Sequence, residues 1–513
     1  MSNPYDMEPP ITAGQSFRDP ASLPLANEEE LARERGIRWP RIVTNIGFTA
    51  YGIMVILGVL AGSWELIDAI PLVPILAYVA YRIAQYLARI DGDREIGLIV
   101  FAAFWAKMLG ALVRAAVVEW QYGGISDGSE YHTFGKVLAE GFRHLDFSQA
   151  GPWSGTDFMK NVTGIVYSFT GASQVSGAIV MSFLSFLGVI LLYRAFKIAV
   201  PNGAVRRYAL LVMFLPSMLY WPSALGKEGW AIFCLGVGSY GVARVLTGRI
   251  VSGIPIVGLG LWGVTMLRPH VALTMFCGIA LAGLVGRPRG DAAKASLLRI
   301  MLFGVLLAVG GYLATSTAEF FGVPSLNQET INDQLANAEG RTSEAGSVFT
   351  PYNMSNPANT PLAFVTVLYR PFPFEASSAV ALVSSFEGVF ILVLTWQSRR
   401  RLRSLFRSMR REPYTAYAVG VIITLVYAFS AFSNFGILSR QRTQVLPFYF
   451  VLLCLPEWRR EGVLPPEEAI AGRDEGAPVD YDTTPADPYR SAIDATSHDP
   501  YAGHDLGNDP YRR

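Results

Sequence analysis

The chain has 513 residues, of which 51% are apolar and 16% charged, and its mean hydropathy is positive at +0.32. That balance excludes an ordinary soluble enzyme or a nucleic-acid-binding chain and points to a polytopic membrane protein. The 42 Lys and Arg nearly match the 41 Asp and Glu, so net charge says little and the placement of charge along the chain carries the information.

Residues 1–41 are polar, rich in Pro and charge, and lack an early apolar stretch. They are expected to form a disordered cytoplasmic tail without a cleavable signal, and the first apolar run to act as an uncleaved anchor. Apolar runs follow at 42–62, 67–81, 96–118, 175–196, 208–221 and 230–245, then at 250–267, 271–285, 300–314, 378–396, 414–432 and 437–455. Several fall short of the roughly 20 residues that a perpendicular helix needs, so some are expected to be re-entrant or longer than these bounds. The expected fold is an all-α polytopic membrane protein with about twelve transmembrane helices over 42–457.

Basic residues cluster in every second connection: Arg33 to Arg41, then Arg82, Arg89 and Arg94, then Arg194, Lys197, Arg206 and Arg207. The alternation continues through Arg244 and Arg249, Arg287 to Arg299, the dense run from Arg399 to Arg411, and Arg459 and Arg460. Cytoplasmic loops are enriched in Lys and Arg, so both termini are expected inside. The other side receives two long connections, 119–174 and 316–377, and short turns at 222–229, 268–270 and 434–442. In the first long loop Tyr131, Phe134, Leu138, Phe142 and Leu145 recur at helical spacing, which predicts an amphipathic helix at the outer interface.

The tail at 458–513 is acidic, rich in Pro and Gly, and repeats Asp-Pro-Tyr at 487–489, 499–501 and 509–511. Such a composition predicts disorder, with envelope-assembly partners docking on the tyrosines as a less economical role than simple solubilisation. Cys234, Cys277 and Cys454 all sit in apolar runs without ligand spacing, so neither a disulfide framework nor a zinc site is expected.

Polar residues on the predicted outer side form an unusual set. They are Asp127, Glu130, Tyr131 and His132; Lys227 and Glu228 in Gly-Lys-Glu-Gly; Arg268 and His270 in Arg-Pro-His; Arg370 and Glu375 around Pro-Phe-Pro-Phe; and Arg440 and Arg442 in Ser-Arg-Gln-Arg. Cations at the outer ends of apolar runs beside Pro or Gly suit irregular backbone around a water-filled cavity, and guanidinium groups match phosphate oxygens. Each residue also has a plainer reading. Asp127 with Glu130 fits a capping box, Lys227 and Glu228 fit a helix start, His270 fits a hydrogen-bonded core histidine, and Arg440 and Arg442 fit interfacial anchors. Deeper in the membrane, Lys107 in the third run and Glu387 in the tenth are expected to pair, because an isolated charge there is costly. Arg114 lies seven residues after Lys107, on nearly the same helical face.

Asp127 followed by Tyr131-His132 and an amphipathic helix resembles the first outer loop of GT-C-type, polyprenyl-phosphate-dependent glycosyltransferases. Leu215 to Trp221 running into Gly226-Lys227-Glu228, and Ser439 to Arg442 running into Leu446-Pro447-Phe448, resemble segments of bacterial surface-polysaccharide polymerases. The resemblance implies inverting transfer of a sugar from a polyprenyl-(pyro)phosphate donor to a glycan or lipid acceptor at the outer face of a bacterial-type plasma membrane. In that chemistry Asp127 or Glu130 is the carboxylate base, and Arg268, Arg370, Arg440 and Lys227 hold the donor phosphate. The connection 316–377, which contains Gly340-Arg341-Thr342-Ser343-Glu344, would cover the site or bind the acceptor. No cofactor is implied, and a divalent metal stays open. The alternative is a transporter or flippase for a lipid-linked or small anionic substrate, which should show repeated halves and midplane helix breaks. No internal repeat is visible.

Overall fold

A computed structural model describes residues 39–62, 64–285, 292–343 and 347–457. Both expected tails, apart from 39–41, and the connection carrying Arg287 and Arg289 lie outside these residues. The described chain is helical, with no strand and one isolated antiparallel bridge, Val348 to Asn434. The helices are α1 Trp39–Ala61, α2 Leu72–Asp91, α3 Arg94–Tyr122, α4 Asp127–Arg143, α5 Gly155–Thr170, α6 Gln174–Ala199, α7 Val205–Phe214, α8 Pro216–Tyr220 and α9 Lys227–Leu246. They continue as α10 Ile250–Leu267, α11 Pro269–Val285, α12 Ala292–Phe321, α13 Gln328–Thr342, α14 Thr360–Tyr369, α15 Ala379–Gln397, α16 Pro413–Phe429, α17 Phe435–Arg442 and α18 Leu446–Leu453.

Seven helical segments among the described residues are long and apolar enough to cross a membrane, and α11 and α16 are shorter apolar helices. The protein is therefore a helical membrane protein. The interior is built around α3, α6 and α9. Asp93 starts α3 by accepting a hydrogen bond from the amide of Glu95 (2.9 Å), and the helix runs 29 residues before Gly123 and Gly124, both at positive φ, turn the chain.

Where helices meet most closely, glycine is required. In the absence of a hydrophobic force between lipid-facing helices, small residues let backbones approach and maximise dispersion contacts. A Cβ on Gly188 of α6 would lie 2.5 Å from the Ile232 carbonyl oxygen of α9, and one on Gly278 of α11 would lie 2.7 Å from the Tyr417 carbonyl of α16.

Two of the twelve predicted runs are not single helices. Leu215 is extended (φ −61°, ψ 134°) because the residue before proline avoids helical geometry, so 208–221 divides into α7 and α8 at Pro216. The run 437–455 divides between Arg442 and Leu446. The break at Pro216 also corrects the expected Lys107–Glu387 pair. Lys107, fully buried, donates to the Ser185 hydroxyl and the Met218 carbonyl. Glu387 accepts from the Ser217 amide (2.6 Å), and its other oxygen faces Arg442 at 3.8 Å. The two charges thus satisfy opposite polar groups of the same opened turn instead of each other, because a broken helix leaves backbone groups that must find partners.

The first long connection holds two helices where the sequence suggested one. Beyond α4, the segment Gly155–Thr170 forms α5 and packs along it, with Gly135 and Gly164 at the contact. The second long connection carries α13 and α14, and a strap at 347–354 stitched to the chain just before α17. Phe349 donates to the Ser433 carbonyl (2.8 Å) and Phe435 to that of Ser347 (3.1 Å). Within this connection Thr342 shares a hydrogen bond with the Ser433 hydroxyl (2.8 Å); Glu344 lies outside the described residues.

Two tests follow from the packing. Gly188→Leu should abolish accumulation of folded, detergent-extractable protein, whereas Gly52→Leu, with open space around its Cβ position, should leave it within about twofold of the parent on size-exclusion chromatography. Glu412, between the arginine-rich connection and α16, is nearly buried with one oxygen unpartnered, and burial pushes its carboxyl up to about 7. A raised folded-state pKa means the folded protein holds a proton that the unfolded chain has released, so stability falls as pH rises from about 4.5 through 7. Thermal unfolding of Glu412→Gln should lack this fall; an unchanged pH profile would contradict the assignment.

Candidate functional site

Four of the sequence-selected residues converge at one end of the bundle, where α3 and α10 end and α9 begins. Glu228, in the first turn of α9 where a carboxylate suits the helix dipole, is buried with 3% of its side chain exposed. Its Oε1 accepts from Arg440 Nε of α17 at 2.7 Å and from Arg268 Nη2 at 3.3 Å. Arg268 occupies the joint between α10 and α11, held out of helical geometry by Pro269, and its Nη1 donates to Gln441 Oε1 (2.7 Å). Arg440 reaches onward, Nη2 lying 2.8 Å from Asp127 Oδ2, and the Asp127 side chain is 55% exposed.

Asp127 is the first residue of α4, and Ser126 occupies the cap position without a side-chain bond to the helix amides, its hydroxyl lying 3.2 Å from that of Ser129. Asp127 therefore does not cap the helix; its carboxylate is directed at Arg440. Burial draws the Arg440 guanidinium down, but Glu228 and Asp127 outweigh it and hold it above its ordinary value. Arg268 is lowered by burial, against the pull of Glu228. Lys227, beside Glu228, donates to Thr156 Oγ1 of α5 (2.9 Å). By residue type the group sets two carboxylates against three basic side chains.

Asp127, Glu228 and Arg440 line a cavity of about 930 Å³. Its other walls are largely apolar, including Ile53 and Leu57 of α1 and Leu112 and Ala115 of α3. Ile53 and Leu57 are themselves exposed on the bundle surface. The cavity therefore joins a hydrocarbon-like wall to a charged end, the shape of an amphiphile site.

The remaining candidates have other partners. Glu130 is bound to Lys160 at 3.0 Å. Tyr131 is buried, and burial together with Asp127 raises its phenol well above the usual range. His132 Nδ1 is 2.9 Å from the Tyr167 hydroxyl, and burial lowers its pKa. His270 packs against the rings of Phe320 and Phe321. Arg370 is paired with Glu375, whose carboxyl is held low by that guanidinium and the Phe372 amide against the opposing effect of burial. Arg370 also stacks over Phe349 and Phe435, rings that lie 4.2 Å apart at 12°. Arg442 is fully buried and donates to the carbonyls of Leu368 (3.3 Å) and Arg370 (3.0 Å). It is a backbone clamp and not an interfacial anchor. Arg370, Glu375, Arg442 and His270 do not line the cavity.

Several cavity residues escaped the sequence reading. Glu65, following the first apolar run, accepts from the Gln174 amide at the start of α6 (2.6 Å). Arg114 was noted only for its depth. Its guanidinium lies over Tyr220 and Trp221 (4.8 and 4.9 Å), and Nη1 donates to the Tyr220 hydroxyl (2.7 Å). The signal for Glu65 was its position, an acid in a short connection on the same predicted side as Asp127. Among the described residues no group of three His, Cys, Asp or Glu is arranged to hold a metal ion. Comparison of the chain with known protein families, curated proteins and solved structures gives no match.

The ion-pair network separates structural from chemical roles. Glu228→Gln removes the buried acid shared by two half-buried guanidiniums and should cost about 3 kcal/mol of stability, the lower end for loss of one partner of a buried pair. Asp127→Asn breaks a half-exposed pair and should cost less than about 1 kcal/mol. Thermal unfolding in detergent measures both, and equal losses would contradict the division.

Proposed function

We propose that this chain is a membrane glycosyltransferase, or a polysaccharide polymerase of related architecture. It transfers a sugar from a polyprenyl-(pyro)phosphate donor to a cell-envelope glycan acceptor at the extracytoplasmic face of a bacterial-type plasma membrane. The single observation that carries this proposal is the amphiphilic cavity in which a half-exposed carboxylate, Asp127, is held by an arginine whose other partner is a buried acid. The proposed setting is a twelve-span arrangement with both termini inside, which follows the alternation of basic loops. It puts the site on the outer side.

Donor hydrocarbon would lie along the apolar walls from α1 and α3, with the phosphate near Arg440 and Arg114. As the acceptor hydroxyl oxygen attacks the anomeric carbon, Asp127 takes its proton, and the breaking glycosidic bond leaves its electron pair on the phosphate oxygen. Positive groups fixed before reaction stabilise that growing charge without reorganisation. Glu228 and Arg268 serve by fixing Arg440: a guanidinium with one buried acid behind it has little freedom to leave Asp127. Glu65 and Glu119 are the other acids on the cavity wall besides Asp127 and Glu228, and Glu65 is taken as the rival base. Arg370 acts through packing, since it stacks on Phe435 at the start of the helix that carries Arg440.

Reconstitution in liposomes with radiolabelled polyprenyl-phosphate sugars, scored for released lipid phosphate, tests the proposal. Asp127→Asn should lower turnover by at least 100-fold with unchanged folding, and Glu130→Gln should keep most activity. Full turnover in Asp127→Asn with loss in Glu65→Gln would move the base to Glu65. Movement of the substrate across the bilayer without product would favour the transporter instead.

A further inference from the structure

The end of the bundle opposite the candidate site carries seven arginines in the thirteen residues 399–411. They lie in two short helices, Arg399–Arg403 and Leu405–Arg411, between α15 and α16. Ser398 ties this connection to the beginning of α3. Its hydroxyl accepts from Arg207 (2.9 Å), and the neighbouring Arg206 is bound to Asp93 and Glu95 at the cap and first turn of α3. The candidate site lies where α3 ends, and 29 residues at 1.5 Å rise put the two ends about 43 Å apart. That is the thickness of a bilayer with its headgroup regions, about 40–45 Å. Both α3 and α15 are long and apolar enough to cross a membrane, and α15 stops at Gln397, immediately before the arginines. The connection therefore sits at headgroup level.

The cations at this end fall into two sets. Arg194 and Lys197 share the buried Asp91, Arg206 holds Asp93 and Glu95, and Arg401 pairs with Glu457. Arg400, Arg403, Arg407 and Arg410 are exposed, and among the described residues none of the four has an acidic partner. They recur at spacings of three, four and three, on the side away from the buried Ser408 and Met409. Ser404 parts the two helices but keeps the helical path, its carbonyl accepting from the Ser408 amide (2.9 Å). Four unneutralised guanidiniums in one stripe repel one another unless an anion lies among them. Phe406 stands within the stripe with 80% of its surface exposed, and Trp396, 71% exposed, lies beneath the Arg399 guanidinium at 5.0 Å. Exposed aromatic rings interleaved with arginine suit a boundary that is hydrocarbon on one side and phosphate on the other.

We infer that this arginine stripe binds the phosphates of anionic phospholipids in the adjacent leaflet, with Phe406 and Trp396 seated among their glycerol and upper acyl groups. Guanidinium forks match phosphodiester oxygens, and a lipid with net negative charge brings no ammonium to be repelled by the neighbouring arginines. A soluble polyanion meets the same charges but gains nothing from burying two aromatic rings. Occupancy of this surface, a bilayer's thickness from the candidate site, is independent of any glycosyl transfer.

The full-length protein in neutral detergent is mixed with equal amounts of phosphatidylglycerol and phosphatidylcholine bearing the same acyl chains, and bound lipid is counted by native mass spectrometry. The parent should hold phosphatidylglycerol about tenfold in preference, and raising the salt from about 0.05 to 0.5 M should weaken that preference about threefold. Replacing Arg400, Arg403, Arg407 and Arg410 together by Gln should reduce the preference to about twofold or less, whereas Lys at the same four positions should keep most of it. If the fourfold Gln variant fails to fold, Arg400→Gln with Arg403→Gln, and Arg407→Gln with Arg410→Gln, should each remove part of the preference. Gln variants that hold phosphatidylglycerol as the parent does overturn the inference, because the lipid then sits elsewhere on the bundle. So does displacement by inorganic phosphate at equal concentration, which would make free phosphate the ligand.

Discussion

A carboxylate removed from water between two guanidiniums is the interaction on which the candidate site depends. Glu228 alone at its depth would be costly, and the half-buried Arg268 and Arg440 supply the charge that offsets it. Together they draw three separate pieces of chain to one point: the start of α9, the joint between α10 and α11, and α17. None of these is adjacent in sequence. The pairing therefore does for this end of the bundle what apolar packing does elsewhere, and it leaves Arg440 with one free direction, toward Asp127 and the cavity.

The same requirement that buried polar groups find partners organises the interior. Pro216 opens a helix, and the opened turn is satisfied by Lys107 on one side and Glu387 on the other. Glu387 in turn faces Arg442, which clamps the carbonyls of Leu368 and Arg370 at the end of α14. Arg370 stacks on Phe349 and Phe435, tying the strap to α17. A line of polar contacts thus links the helix break to the helix that carries Arg440, which explains why cations that look alike in the sequence have different partners.

Much of the fold was legible because membrane spans are set by long apolar runs, and the runs at 42–62, 96–118, 175–196 and 250–267 each fall on one helix with modest extensions. The two runs ending in Trp221 and Leu455 misled because hydropathy is blind to a helix break whose backbone groups are satisfied inside protein. α5 went unseen because Gly155 to Thr170 mixes polar and apolar residues, and its apolar face is buried only by tertiary contacts with α4, α6 and α10. For the site, a shared side of the membrane was enough to gather Asp127, Glu228, Arg268 and Arg440. It was not enough to separate them from Arg370, Arg442 and His270, since side is one coordinate and contact needs three. The Lys107–Glu387 pair failed for the same reason: opposite charges at similar depth pair only if no nearer backbone group competes.

The proposed division of labour at the site, with Glu228 as structural anchor and Asp127 as working carboxylate, is tested most directly by a double-mutant cycle on Glu228 and Arg440. Thermal stability would be followed in Glu228→Gln, Arg440→Gln and the double variant. A buried, directly bonded pair predicts that the double variant is less destabilised than the sum of the singles, with a coupling of about 2 kcal/mol or more. Additive losses would mean that Glu228 does not hold Arg440, and would contradict the account of how the arginine is presented to Asp127.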